Sequence, residues 1–289
     1  MVDFSRTAVR VAALTGVAAL ALTGCTKTSS TTAAPAADCT PQTAGLTTFT
    51  AGTLTVGVPE NPPYTKLTGA EASGMEIDIV KKLAAAECLA VAWVPITYAN
   101  GIAMINNQKR TDLITGGWYV TEARAQQVGF TTPTYYDQMA IISKTGVDTV
   151  AGLETIGAVG SGTGFSWQDD MTKVLGDKLK TYPSTAEMKQ DLQAGRIQAA
   201  LDGYGVAVEA YRGTDFQVKQ SQADTRIAIT TDKPISAFPI DKNNKALSDA
   251  LSTLIDGYRT DGTLVTVAGE YGLAADLVVP ADAAATSLR

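Results

Sequence analysis

From about Thr53 onward, short runs rich in β-branched residues alternate with stretches of helical periodicity, the pattern of parallel βαβ units. Leu54–Val58 predicts a strand, which Asn61-Pro-Pro-Tyr64 breaks. Glu76–Glu87 predicts a helix with Ile77, Val80, Ala84 and Cys88 along one side. Val91–Val94 and Asp112–Ile114 follow as strands, and Thr121 opens a short helix. A second round begins after Lys144, with Thr155–Val159 as a strand and Gly160–Gly164 as a turn. Helices are expected at Ser166–Leu175 and Ala186–Ala194, then a strand at Ile197–Leu201. The halves echo weakly: Lys109-Arg-Thr-Asp-Leu-Ile-Thr-Gly-Gly-Trp118 and Arg196-Ile-Gln-Ala-Ala-Leu-Asp-Gly-Tyr204 each run from a basic residue through an apolar strand to Gly and an aromatic. Extended runs at Ile227–Thr231 and Ile235–Ile240 would carry the chain back to the first half. Leu247, Ala250, Leu251, Leu254, Ile255 and Tyr258 then form a helical stripe that Thr260-Asp-Gly262 ends. Two α/β lobes facing each other are implied, with a cleft beyond the carboxyl ends of their strands.

Ahead of the lobes lies an address. Arg6 and Arg10 precede an uncharged stretch from Val11 to Gly24, too short to span a bilayer, which takes about 20 apolar residues. It ends in Leu22-Thr-Gly-Cys25, which resembles the bacterial lipobox, whose cysteine is diacylated and becomes the mature N-terminus. Thr26–Ala37 has almost nothing to bury and reads as a flexible tether. Export leaves Cys39 and Cys88 as an even pair in an oxidising compartment, either bridged or buried as free thiols.

Composition narrows the chemistry. Basic side chains number 23 against 29 acidic, a net charge of −6 with no basic stripe, which argues against nucleic acid. Histidine is absent, which removes the commonest general base, the usual Ser-His and Cys-His pairs, and the commonest zinc ligand. No metal or cofactor is expected.

The candidate chemistry lies at strand ends. Arg124 sits in the first turn after an N-cap at Thr121, opposing the helix dipole. A partner anion would compensate it; a solvated arginine or an ion pair with Glu122 or Asp112 would serve equally. Gly160-Ser-Gly-Thr-Gly164 joins a strand to a helix and would suit a carboxylate or phosphate, or be a bare glycine turn. Asp202 ends a strand and should face a cation or solvent. Tyr64, Tyr98, Trp118, Tyr119 and Tyr204 gather nearby, as core, rim or ligand shelf. Together these residues point to a small zwitterion, its carboxylate on Arg124 and its ammonium on Asp202.

Gly74-Met-Glu-Ile-Asp78, Arg110-Thr-Asp-Leu-Ile114, Thr121-Glu-Ala-Arg124, Val128-Gly-Phe-Thr-Thr-Pro133, Ala194-Gly-Arg-Ile-Gln-Ala199 and Thr260-Asp-Gly-Thr-Leu264 occur in the order of a known family. Over about residues 52–273 the chain resembles the polar-amino-acid-binding solute-binding lipoproteins of ABC importers. The resemblance implies a type II periplasmic-binding-protein-like fold, two α/β lobes joined by two crossing hinge strands. Divided accordingly, residues 1–24 are the signal peptide, 25–45 the lipidated Cys25 and tether, 46–140 and 236–289 the first lobe with the tail, and 141–235 the second. It further implies that Arg124 grips the ligand carboxylate, that Thr163 and Gly164 assist, and that Asp202 receives the α-ammonium. Tyr98 would pack on the ligand, and Glu60 and Tyr64 lie in the first binding loop. Gly116 and Gly117 stand where many members carry hydroxyls, so their contacts would run through backbone or water. Trp118 and Tyr119 would narrow or reshape the pocket. The partners implied are a permease and an ATPase, with a monomer held at the outer face of the cytoplasmic membrane or in the periplasm by its lipid alone. Two other readings stand beside import: an enzyme on the same scaffold, of the cyclohexadienyl dehydratase kind, and a ligand-sensing lipoprotein.

Overall fold

The computed structural model describes residues 35, 38–232, 234–280 and 282–283; the expected leader, Cys25 and most of the tether lie outside the described residues. Strand β1 (Thr53–Val58) is followed by a hairpin of β2 (Lys66–Thr68) and β3 (Glu71–Ser73), then α1 (Met75–Ala86), β4 (Ala90–Pro95), α2 (Tyr98–Asn106) and β5 (Leu113–Ile114). A four-residue α3 (Glu122–Ala125), β6 (Gly129–Phe130) and β7 (Tyr135–Tyr136) lead to β8 (Met139–Ser143). The middle of the chain holds α4 (Val150–Thr155), β9 (Val159–Gly162), α5 (Gln168–Leu175), β10 (Leu179–Tyr182), α6 (Thr185–Gln193), β11 (Ala199–Gly203), α7 (Tyr204–Ala210), β12 (Gln217–Gln220) and α8 (Ala228–Thr231). It returns through β13 (Ile235–Ser236) and β14 (Pro239–Ile240) to α9 (Lys245–Thr260) and α10 (Thr263–Glu270).

The strands form two five-stranded sheets, in the orders β4-β1-β5-β14-β6 and β10-β9-β11-β8-β12. Each has a parallel core, β4-β1-β5 in one and β10-β9-β11 in the other, extended by antiparallel strands. Between them β7 and β13 pair antiparallel, Tyr136 opposite Ile235 and Tyr135 opposite Ser236, as the two crossing strands. Helices cover both faces of the first sheet, which explains the nearly unbroken apolar run of β1. Leu54 and Val56 pack with Leu83 of α1 and with Leu251 and Ile255 of α9 on one side. Ile114 packs with Met104 and Ile105 of α2 on the other. The α9 stripe is buried from Leu247 to Ile255, and Asn244 caps the helix by accepting from the Leu247 amide at 3.3 Å.

Cys39 and Cys88 are bridged, with Cα atoms 5.8 Å apart, fastening the segment before β1 to the end of α1. Thr43 adds two hydrogen bonds to Glu87 beside it. The free-thiol alternative is set aside.

Four expectations shift. The strand foreseen at Thr155–Val159 is β9, and the residues before it form α4, capped by Thr149 accepting from the Gly152 amide. Gly160 and Gly162 are strand rather than turn, and they are glycine because the neighbours are close: a Cβ on Gly160 would lie 2.6 Å from Ile197 Cδ1. The strand foreseen at Ile197–Leu201 runs two residues later, which puts Asp202 inside β11 instead of beyond it. Within the extended run foreseen at Ile227–Thr231, Ala228–Thr231 form α8.

Candidate functional site

Arg124 occupies α3, whose N-cap Thr121 accepts from the Arg124 amide at 3.3 Å. Its guanidinium lies 4.7 Å from the centroid of the Trp118 ring. Nη1 donates to the Tyr119 carbonyl at 3.0 Å, and Nη2 donates to the Gly164 carbonyl of the other lobe at 3.2 Å. Burial lowers its pKa to about 10, so it stays charged at neutral pH. The ion pair with Asp112 weighed from sequence does not form, since that carboxylate accepts instead from the Phe49 and Thr55 amides.

The first lobe's wall is internally satisfied. Glu76, buried on α1, accepts from the amides of Gly116 and Gly117 and from the Tyr135 hydroxyl at 2.6 Å. Burial raises its pKa, while those three donors pull it back. The Gly116 carbonyl accepts from Asn61 Nδ2 at 3.0 Å and from the Tyr98 hydroxyl. Trp118 Nε1 donates to the Thr115 carbonyl at 2.9 Å. The Gly116 and Gly117 amides are thus taken up by Glu76.

The second lobe's wall is less complete. Asp202, 1% exposed, accepts from the Thr185 hydroxyl at 2.7 Å and the Gly203 amide at 2.9 Å, both neutral donors. Burial pushes its pKa up to about 7. The buried Ser166 Oγ has no hydrogen-bond partner. The Gly164 amide donates to Gln168 Oε1 at 2.6 Å and the Thr163 amide to the Tyr182 carbonyl at 2.8 Å. The Gly164 amide, which the resemblance expects at the ligand together with the Thr163 hydroxyl, is thus engaged by Gln168 in this arrangement. Phe165 meets the Tyr98 ring edge-on, centroids 5.0 Å apart, so the lobes touch here.

A cavity of about 30 Å³ lies between the walls. It brings together Tyr98, Gly117, Tyr119, Arg124 and Asp202 from the expected set. Trp118 lies behind it as the platform under Arg124. Glu60 and Thr163 line a separate cavity of about 120 Å³, with Tyr98 in the shared wall. Tyr64 lines a third, of about 530 Å³. Sequence reasoning missed Asn61, Asp137, Phe165, Ser166 and Trp167, which also line the first. Asp137 had a signal, being the one charged residue between Arg124 and Lys144. It lies between the crossing strand β7 and β8, 6% exposed, and accepts from the Tyr119 hydroxyl at 2.9 Å and the Gln138 amide at 2.8 Å. Burial pushes its pKa up to about 6. A volume near 30 Å³ holds about two waters, so an amino acid enters only when the lobes part.

Residues 54–274 match the model of the bacterial extracellular solute-binding proteins, family 3. The L-cystine-binding protein TcyJ of Escherichia coli (strain K12) is 24% identical over 229 residues, 76% of this chain and 82% of that protein. A histidine-bound substrate-binding protein of an ABC uptake transporter from Streptococcus pneumoniae superposes with a TM-score of 0.68 at 19% identity, covering 79% of this chain and 95% of its own. The ancestral amino acid-binding protein AncCDT-1, described as a precursor of cyclohexadienyl dehydratase, gives 0.65 at 22% identity, covering 76% and 95%. At these identities the structural likeness establishes the two-lobed fold.

Proposed function

The chain belongs to family 3 of the bacterial extracellular solute-binding proteins, and we propose that it captures an α-amino acid, or a similarly small zwitterion, between its lobes and delivers it to the permease and ATPase of an ABC importer. One observation carries this reading: Arg124 and Asp202, from opposite lobes, line the same cavity. A ligand carboxylate would take both guanidinium N–H edges, displacing the Gly164 carbonyl from Nη2. The α-ammonium would sit on Asp202, supplying the charge that Thr185 and Gly203 do not. Tyr98 and Phe165 would close over the side chain. The relatives named for cystine and bound to histidine support an amino acid as ligand.

In this reading nothing is transformed, and ligand binding stabilises the closed arrangement by its higher affinity for it. The protein is a monomer on a Cys25 lipid, with the first lobe at 46–140 and 236–289 and the second at 141–235. A thermal-shift screen against amino acids, opines and other small zwitterions, followed by calorimetric titration of hits, tests it. Saturable binding with an upward shift in Tm is expected; no shift with any zwitterion overturns it.

A second reading, an enzyme on this scaffold, is favoured by one feature: Asp202, with its pKa near 7, could give up a proton at neutral pH. Product formed from prephenate or arogenate would decide for it. A sensing role would instead leave uptake unchanged when the protein is deleted.

A further inference from the structure

The charged residues of the cavity do not balance. It is lined by one guanidinium, Arg124, and two carboxylates, Asp137 and Asp202. Under the reading above, a plain zwitterion spends its carboxylate on Arg124 and its ammonium on Asp202. That leaves Asp137 inside the closed cleft with a full negative charge. The hydrogen-bond donors on Asp137 are neutral, the Tyr119 hydroxyl at 2.9 Å and the Gln138 amide at 2.8 Å. Hydrogen bonds of this kind spread a charge without cancelling it, and an uncompensated charge away from water is costly.

Position adds a second argument. Asp137 lies against Gly203, the neighbour of Asp202; a Cβ on Gly203 would stand 2.7 Å from Asp137 Oδ2, so glycine there makes the room. Asp137 is also in the wall of the cavity of about 530 Å³, which continues past Tyr64, Gln138 and Tyr204 toward α7 and residues 271–277. The carboxylate thus stands in the wall that the two cavities share. A side chain extending from the Arg124–Asp202 pair toward that wall would meet Asp137. The Ser166 Oγ, buried without a partner at the same cavity, is a further polar group suited to a ligand donor or acceptor.

We propose that Asp137 is a second cation-receiving group of the cleft, and that the ligand is accordingly an α-amino acid with an ammonium or guanidinium at the far end of its side chain. The inference rests on the zwitterion reading and narrows it to a ligand of net charge +1. At pH 7 the carboxylate is mostly ionised even though burial lifts its pKa to about 6. It therefore has charge to offer a cation without a prior deprotonation.

The test is calorimetric titration of the full chain at pH 7.5 with two matched pairs, L-lysine against L-norleucine and L-arginine against L-citrulline. Each pair differs in the distal charge; citrulline keeps the length of arginine, and norleucine is one atom shorter than lysine. In at least one pair the cationic member is expected to bind tenfold or more tightly, and Asp137→Asn is expected to reduce that ratio to threefold or less. The wild-type ratios judge the proposal even if the variant fails to fold. Equal binding within both pairs, or tighter binding of a neutral member, overturns the assignment of a distal cation while the amino-acid reading stands. A wild-type preference that persists in a folded Asp137→Asn protein overturns the role of Asp137. No binding of any amino acid overturns both.

Discussion

The two walls of the cleft are finished to different degrees. On the first lobe's wall the polar groups are spoken for: Glu76 holds the Gly116 and Gly117 amides, Asn61 and Tyr98 hold the Gly116 carbonyl, and Trp118 is tied to Thr115. On the second lobe's wall, Asp202 has only two neutral donors, Ser166 Oγ has no partner, and Gly164 lends its carbonyl to Arg124 across the gap. A wall whose hydrogen bonds are complete without ligand behaves as a rigid platform. A wall with charge and polar groups to spare gains most when ligand arrives. Recognition here is divided, the first lobe fixing the guanidinium and the second supplying the groups that ligand satisfies.

The sharpest way to break this division is Arg124→Ala. It removes a two-pronged, charge-assisted contact to a carboxylate in a buried site, worth about 3–4 kcal/mol, so Kd should rise roughly 10²- to 10³-fold. Calorimetric titration of a hit from the amino-acid screen checks it. Near-normal affinity would mean that the carboxylate sits elsewhere.

Glu76→Ala tests the platform itself. Two amides and the Tyr135 hydroxyl would lose their buried acceptor, costing about 3 kcal/mol after the relief of no longer burying a carboxylate. For a chain of this size that corresponds to a fall in Tm of about 6–12 °C, read by calorimetry. Glu76→Gln keeps an acceptor and should fall by less than half as much. A loss of affinity with unchanged Tm would show that Glu76 serves the ligand and not the wall.

Asp202 sharpens the other side through pH. Its folded pKa, pushed up to about 7 from the usual 3.8, means that the folded chain holds a proton between those values that the unfolded chain has released. This group's contribution to stability is therefore greatest below pH 3.8 and diminishes as pH rises toward 7. Binding runs the opposite way, because an ammonium favours the ionised carboxylate and binding must expel the proton. Affinity should rise on the order of tenfold between pH 5.5 and 7.5, with proton release visible as a buffer-dependent enthalpy. Thr185, the Gly203 amide and Asp137 face this group; Asp137, at about 6, adds to the same trend. Asp202→Asn should remove the part centred near pH 7 and weaken binding. A pH-independent Kd in the wild type would sink the ammonium assignment.

Legibility from sequence followed the range of the interactions. The α9 stripe and α1 were readable because a helix announces its buried face within a few turns, and Arg124 was readable because its N-cap lies three residues away. The role of Glu76 was not, although the residue sits in a recognised motif, because its partners are 40 to 59 residues distant. Strand β9 was misplaced because Val-Gly-Ser-Gly reads as a turn locally; packing against Ile197 and Met188 at Gly160, and Phe165 at Gly162, makes glycine the strand residue there. Asp202 was found through a family likeness and the end of an apolar run. Asp137, also buried but with no motif around it, was passed over.

The smallest effect separates the walls most finely. Ser166 Oγ is buried at the cavity without a partner, whereas the Tyr98 hydroxyl opposite donates to Gly116. If the second wall is completed by ligand, Ser166→Ala should leave Tm unchanged or slightly higher, since an unsatisfied hydroxyl is removed. Affinity should fall by about fivefold or less, the worth of one neutral hydrogen bond of about 1 kcal/mol. Titration of Ser166→Ala and Ser166→Thr beside the parent measures this, threonine keeping the hydroxyl. A drop in Tm without change in Kd would place Ser166 in the fold of its own lobe, and the contrast between the walls would then rest on Asp202 alone.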